Sequence, residues 1–354
     1  MEKINLGLIF GGKSAEHEVS LKSAASIYKA IDKEKYNIYL IWVSKKGNFF
    51  KCDFKFKNNK ILIENKESLA FKPGDFNKNI LNLDTNKYIP SLDVIFPIIH
   101  GPFGEDGSLQ GLLKLLNIPY VGSEVIGSAL GMDKDIMKRL LRDENIDISD
   151  YITCKKGQEI KFENIVDKLG LPFFVKPANL GSSIGISKVN NKKEFKKALK
   201  DAFCYDRKII IEEFIDGREI ECSVKGNDKL DVSIPGEIVS TSDFYSYKAK
   251  YIDKLATKLQ IPADLTKSEI DNIKKIALKT AKILELKGLV RIDFFVTDKR
   301  TIVNEVNTLP GFTEISMYPK LWIYEGVTYS DLIDELIDLA IENFKRQSTL
   351  KSTL

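Results

Sequence analysis

Leu289-Val-Arg-Ile-Asp-Phe-Phe-Val-Thr-Asp-Lys-Arg-Thr-Ile-Val-Asn-Glu-Val-Asn307 is two apolar strands around a polar turn, with charged side chains set among the apolar ones. Strand residues alternate faces, so Arg291 and Asp293 share one face while Val290, Ile292 and Phe294 take the other. On the second strand Glu305 and Asn307 share a face, with Asn304 and Val306 opposite. A three-residue loop of Asp298, Lys299 and Arg300 would set position 293 opposite 305 and position 291 opposite 307. Two carboxylates, an amide and a guanidinium then converge on one patch of sheet. Adjacent carboxylates repel unless a cation lies between them. Hard oxygen donors of this kind suit Mg²⁺, which takes few protein ligands and completes its shell with phosphate oxygens and water. The plainer alternative is a solvated hairpin with a salt bridge. Asn307 just before the rigid turn Thr308-Leu-Pro-Gly311 argues against it.

Working outward, residues 4–10 read as a buried strand ended by Gly11-Gly12, and apolar residues then recur at helical spacing through Ile31. Strand, glycine turn and helix open a doubly wound α/β unit. Strands are expected at 39–43 and 94–99, whereas 44–91 is polar and its strands cannot be placed. A helix carrying Leu109, Leu112, Leu113 and Leu116 closes an N-terminal α/β domain, residues 1–125. Asp133 is the expected N-cap of the next helix. Residues 173–177 and 186–189 flank Gly181-Ser-Ser-Ile-Gly185 as a hairpin, strands 208–215 and 219–224 follow, and this central domain spans 126–226. The C-terminal domain, 227–354, holds a strand at 232–239, an aromatic loop at 240–256, helices at 266–286 and 329–345, and the hairpin quoted above. The last residues, from Gln347, are expected to fray. The fold class is therefore α/β followed by α+β.

Gly7-Leu-Ile-Phe-Gly-Gly-Lys-Ser14 matches the phosphate-loop pattern G-x-x-x-x-G-K-[ST] letter for letter. That motif needs a loop between its glycines, and here Leu8, Ile9 and Phe10 continue a strand. Exposing them would cost about 1.5–3 kcal/mol per side chain, so a phosphate loop is rejected. The turn is left to hold a substrate, with Glu16 at the helix start. Lys134 and Lys176 supply positive charge of the kind that holds phosphate, as compact point charges, although the plainer alternative for either one alone is a solvated lysine. Lys176 ends an apolar strand before Pro177, where a solvated lysine has little reason to sit. Glycines and hydroxyls of the 181–185 loop add donors.

The bulk numbers exclude several classes. Lys+Arg 54 against Asp+Glu 50 leaves +4, spread along the chain, which makes no case for nucleic acid or membrane partners. Cys52, Cys154, Cys204 and Cys222 have no metal-site or disulfide spacing and read as reduced thiols. Only His17 and His100 are present, too few for a histidine metal site. No apolar run approaches the roughly 18 residues that span a bilayer, and the start lacks a signal-peptide pattern, so a cytoplasmic protein is expected.

Taken together the sequence resembles the ATP-grasp superfamily and, more closely, the D-alanine–D-alanine ligases, over nearly the whole chain. The matching stretches are Gly11-Gly-Lys-Ser-Ala-Glu-His-Glu-Val-Ser20, His100-Gly-Pro-Phe-Gly-Glu-Asp-Gly107, Met132-Asp-Lys134 and Val175-Lys-Pro177. They continue with Gly181-Ser-Ser183, Tyr245-Ser-Tyr-Lys-Ala-Lys-Tyr251, Arg291-Ile-Asp293 and Asn304-Glu-Val-Asn-Thr-Leu-Pro-Gly311. The resemblance implies an ATP-grasp fold behind the N-terminal domain, and synthesis of D-alanyl-D-alanine for peptidoglycan through an acyl phosphate. It implies that Lys134, Lys176, Gly181, Ser183 and Lys250 hold ATP phosphates. Glu212, Glu213, Phe214 and Ile215 would form the adenine hinge, with Glu219 near the ribose. Two Mg²⁺ ions, with Mn²⁺ as a substitute, would sit on Asp293, Glu305 and Asn307. Glu16 would take the ammonium of the first D-alanine, within a Glu16–Ser182–Tyr251 set. His100 lies in a substrate-binding motif, and Arg291 with the Gly311 N–H would stabilise the oxyanion. Ser316 and Met317 would hold the second D-alanine. The 240–256 loop would be a lid, and a homodimer is implied. One departure is Glu213, where many relatives have lysine. The alternatives are a D-lactate-using ligase, disfavoured by Tyr247-Lys-Ala-Lys-Tyr251, and a non-catalytic ATP-binding regulator.

Overall fold

The structure, a computed structural model, describes residues 2–57, 60–74, 78–240 and 257–351. Strand β1 (Ile4–Gly11) leads through the glycine turn into α1 (His17–Ala30) and returns as β2 (Tyr36–Val43). Next come β3 (Phe49–Lys57), β4 (Lys60–Phe71), β5 (Ile80–Asn82), β6 (Lys87–Tyr88) and β7 (Val94–Ile98). They form one sheet in the order β6-β5-β4-β3-β2-β1-β7. Only β2, β1 and β7 run parallel, as a doubly wound core requires; β3 to β6 extend it as an antiparallel meander. The meander fills the stretch whose strands the sequence left unplaced. Lys and Glu stand among its apolar residues, paired across strands as Lys51–Glu67 and Lys55–Glu64, and Phe56 and Leu62 are themselves exposed, so apolar periodicity is weak there.

Leu8, Ile9 and Phe10 are fully buried in β1, as the rejection of a phosphate loop requires. One sheet face packs on α1 and on side chains from the far end of the chain, including Phe312, Tyr318, Leu332 and Leu336. The other packs on α2 (Ser108–Leu115). Two helices follow, α3 (Val125–Met132) and α4 (Lys134–Asp143). Asp133 caps α4, accepting from the Asp135 and Ile136 N–H groups.

The second sheet has the order β10-β9-β11-β8, from β8 (Tyr151–Lys155), β9 (Phe173–Pro177), β10 (Ser187–Val189) and β11 (Lys208–Glu213). The β9–β10 hairpin holds the 181–185 loop at its tip. This sheet has its own core with α5 (Phe162–Leu169) and α6 (Lys192–Tyr205). β11 stops at Glu213, two residues short of its expected end.

The third sheet follows the order β15-β14-β12-β16-β17, with β13 beside β12. Its strands are β12 (Arg218–Gly226), β13 (Leu230–Val232), β14 (Gly236–Ser240), β15 (Thr257–Gln260), β16 (Gly288–Val296) and β17 (Thr301–Asn307). The single strand expected at 232–239 is two strands broken at residues 233–235, where Pro235 has no N–H for a ladder. Since β12 pairs with β16 along its whole length, the change of sheet falls between Glu213 and Arg218, ahead of the expected boundary near 226. Helix α7 (Lys267–Ile283), opened by the Thr266–Glu269 capping box, covers this sheet together with α4. The chain closes with α8 (Met317–Tyr324) and α9 (Tyr329–Ser348). The end does not fray at Gln347, whose side-chain amide donates to Glu124 at 2.8 Å.

Candidate active site

The register of β16 and β17 brings Asp293 opposite Glu305 and Arg291 opposite Asn307, as expected. The route differs from the expected three-residue loop. The Thr297 N–H donates to the Arg300 carbonyl, leaving a tighter turn, and a β-bulge after Asp293 restores the register. A bulge adds one residue to one strand. Asn304 is that residue, and it therefore lines the same cleft as Glu305, not the opposite face. The four polar groups do meet. Asp293 receives the Arg291 guanidinium in a fork, 2.7 Å and 2.8 Å, and the Asn307 amide at 3.0 Å.

Glu221, which the sequence analysis passed over, pairs with Asp293 across β12 and meets Arg291 at 2.9 Å. Burial would lower the Arg291 pKa, but Asp293 and Glu221 raise it well above its ordinary value. Its charge is therefore permanent.

Lys134 ties this patch to the glycine–serine loop. Its ammonium donates to the Leu180 carbonyl at 2.9 Å and stands 3.5 Å from Glu305. Lys176 reaches the cleft from β9 and pairs with Glu212 of β11. Lys176 lines the same cleft as Gly181 and Ser183, and Lys134 touches two of its lining residues, Leu180 and Glu305. The cleft has a volume of about 430 Å³, with Phe174, Ile186, Phe214 and Phe295 as apolar walls and residues 213–219 along one side. Glu219, Glu213 and Ile215 all line it.

Glu212 is 2% exposed, and Lys138 faces it at 2.7 Å. Burial would raise the Glu212 carboxyl, but Lys138 and Lys176 hold it well below the usual carboxylate range. Lys138 is itself pulled down by burial despite Glu212, because Lys176 and Lys134 also repel it. Two cations against one carboxylate keep Glu212 ionised. Lys138 was legible in principle: it follows Lys134 by four residues, hence on the same helix face. The Glu213 carboxylate, at the family's lysine position, accepts from the Asp150 N–H at 2.9 Å and lies 3.4 Å from Arg300.

A second focus lies at the N-terminal turn. Glu16 is 7% exposed and accepts a hydrogen bond from Ser182 Oγ, joining the first sheet's turn to the β9–β10 loop. Trp42 Nε1–H donates to His17 Nε2, so His17 Nδ1–H donates to the Gly12 carbonyl at 2.8 Å. This fixes the turn beside Glu16. His100 is buried, with Nδ1 2.8 Å from the Leu309 carbonyl, Nε2 3.1 Å from Ser23 Oγ, and Glu105 3.6 Å away. Burial would lower its pKa, but Glu105 outweighs this and raises it. Burial pushes the Glu105 carboxyl up to about 7 even against the pull of His100. His100 thus anchors the turn at Leu309, close enough to Glu16 to feel its charge. Gly311 sits against Ser316, whose Oγ lies 2.8 Å from Thr313 Oγ1. The Met317 side chain is core, packed with Ile238 and Leu321, which leaves its backbone to serve a ligand. Lys250, Tyr251 and the rest of the expected lid lie outside the described residues.

Known proteins match this chain along nearly its whole length. The chain matches the family model for the D-ala D-ala ligase N-terminus over residues 5–123 and that for the D-ala D-ala ligase C-terminus over residues 140–338. A D-alanine–D-alanine ligase of Oceanobacillus iheyensis is 51% identical over 99% of both chains. The solved D-alanine–D-alanine ligase from Coxiella burnetii has a TM-score of 0.86 at 35% identity, covering 99% of this chain and 97% of that one. A D-Ala:D-Ser ligase from Enterococcus faecalis has a TM-score of 0.85 at 34% identity, covering 96% and 100%. With both family models matched in order and the acid–amide hairpin, lysines and Glu16–Ser182 contact in place, the chain belongs to the D-alanine–D-alanine ligase family.

Proposed function

We propose that the cleft carries out the family's reaction: ATP-dependent joining of two D-alanines to D-alanyl-D-alanine, for peptidoglycan precursors. The observation that carries the assignment of residues is Lys134, which touches both the Leu180 carbonyl and Glu305. One ammonium thus spans the loop for the triphosphate and the acidic strands below it.

A carboxylate is a poor acyl donor, because attack on it must expel oxide. Transfer of the γ-phosphoryl of ATP makes an acyl phosphate, the second amine attacks it, and phosphate leaves. Glu16 holds the ammonium of the first D-alanine, and Ser182 holds Glu16 in place. Lys134 and Lys176, with the loop at Gly181 and Ser183 and with Lys250, offset triphosphate charge. The hinge from Glu212 through Ile215 and Glu219 take adenine and ribose. Arg291, kept charged by Glu221, and the Gly311 N–H stabilise the oxyanion, while Ser316 and the Met317 backbone orient the acceptor. His100 belongs to the substrate-binding set and also fixes the Leu309 end of that turn. Tyr251 belongs to the lid that excludes water.

The donor set fits Mg²⁺: Asp293 and Glu305 offer carboxylates and Asn307 an amide oxygen on neighbouring strands. No group of three or more His, Cys, Asp or Glu among the described residues is placed to hold a metal. A site of two carboxylates and an amide leaves room for phosphate oxygens, as Mg²⁺ prefers. Bound there, two Mg²⁺ ions would offset charge on the transferring phosphoryl group, with Mn²⁺ as a substitute.

The three-domain division is proposed with the second boundary moved ahead of Arg218, in line with sheet membership. No helix among the described residues is long and apolar enough to cross a membrane. A cytoplasmic homodimer is proposed.

Mass spectrometry of products from ATP, Mg²⁺ and a mixture of D-alanine, D-serine, D-lactate and L-amino acids tests the assignment. D-alanyl-D-alanine is the expected product. Predominant ester at neutral pH, or the D-serine dipeptide, would overturn the acceptor. Absence of phosphate release dependent on both ATP and D-alanine would point to a regulator.

A further inference from the structure

Lys138 lies on α4 one turn beyond Lys134 and is 0% exposed. A buried ammonium is costly unless paired, and an apolar side chain of equal volume usually stabilises at least as well. Packing alone therefore gives no reason for a lysine here. Its partners do. Nζ lies 2.7 Å from Glu212 Oε1 and donates to Ser149 Oγ at 2.8 Å, while Ser149 Oγ donates to the same Oε1 at 3.0 Å. The other oxygen, Oε2, faces the Lys176 ammonium. On the paired strands Lys176 lies opposite Ile210, so Glu212 and Lys176 share one face of the sheet as diagonal neighbours. The Tyr151 ring, 5.9 Å from Lys138 Nζ, closes the remaining side. Lys138, Glu212 and Lys176 form a line from the interior of α4 to the cleft wall. Only the last two reach the cleft.

We propose that Lys138 is a positioning residue for ATP: it pins one oxygen of Glu212 so that the other holds Lys176 at the cleft wall. This rests on the assignment of Lys176 to the triphosphate. Lys138 touches no substrate and acts through Glu212. Without it, the buried Glu212 carboxylate has Lys176 as its only cation in contact among the described residues and draws that ammonium inward, away from the phosphates.

The test measures KM for ATP and for D-alanine, and ATP affinity by calorimetry, in the wild-type chain, Lys138→Met, Lys176→Met and the double variant. Lys138→Met is expected to raise the KM for ATP by about ten-fold or more, with the KM for D-alanine within about two-fold. Once Lys176 is methionine, Lys138→Met should add little, because residues acting in one line are not additive. Should Lys138→Met fail to fold, Lys138→Met with Glu212→Gln removes both charges, and the same loss of ATP affinity is expected. A folded variant of either kind with an unchanged KM for ATP, or losses that multiply independently, would overturn the proposal. A wild-type chain that binds no ATP would overturn the cleft assignment first.

Discussion

Gly101→Ala tests whether Glu16 is held in place by the backbone around it. Gly101 has φ +76°, and a Cβ there would lie 2.5 Å from Glu16 Oε2 and 3.0 Å from Ser14 Oγ. The left-handed conformation costs an L-residue about 1–2 kcal/mol, which appears as lost stability. The contact is the larger matter for activity, since the Glu16 carboxylate, which accepts from Ser182 Oγ, must move, and Ser14 Oγ beside it already accepts from the Glu16 N–H. A hydrogen bond to a charged group contributes roughly 1.5–3 kcal/mol. If the displaced carboxylate loses one such bond to the D-alanine ammonium, kcat/KM for D-alanine falls about 10- to 100-fold. Gly47→Ala is the control: it shares the positive φ, +89°, but a Cβ meets nothing within 4 Å. It should lose stability by about the same 1–2 kcal/mol and keep full activity. Phosphate release against D-alanine concentration, with thermal unfolding of both variants, gives the comparison. A folded Gly101→Ala protein with kcat/KM within about two-fold of wild type would refute a fixed Glu16.

Glu305→Gln should cut turnover by about a thousand-fold or more while the melting temperature stays within a few degrees, read by coupled phosphate release and calorimetry. Retained activity would mean that the metal assignment is wrong. Asp133→Ala removes both the cap of α4 and the nearer of two carboxylates on Lys208, at 2.6 Å, and should cost about 1–2 kcal/mol in denaturant unfolding. Glu105 and His100 both have raised pKa values, so the folded state holds more protons than the unfolded one between the ordinary Glu value and about 7. Their stabilisation is complete at acid pH and is lost as pH rises through that window. Glu105→Gln should flatten this trend, so the melting temperature of the variant relative to wild type should climb from pH 5 to pH 8. A constant difference would argue against a raised Glu105 pKa.

Much of the acid–amide patch was legible before any coordinates. Alternation in residues 289–307 assigns Arg291, Asp293, Glu305 and Asn307 to one face, and that periodicity is local. The same holds for β1, where three consecutive apolar residues ahead of two glycines exclude a phosphate loop. The hydrogen-bonded turn and the bulge that brings Asn304 beside Glu305 were not legible, because a bulge depends on how two strands twist together and not on either alone. The meander of β3 to β6 was hidden for a related reason: its polar residues are satisfied across strands.

Local order along the chain is enough to name the chemical groups and their faces: a carboxylate at 16, lysines at 134 and 176, oxygen donors at 293, 305 and 307. Which groups stand behind them is set only by how distant elements pack together. Glu221 behind Arg291, Lys138 behind Glu212 and Ser23 beside His100 each come from a different element than the group they hold. Burial makes such partners matter, since a charge removed from water must find its counter-charge within a few ångströms, whatever the separation along the chain.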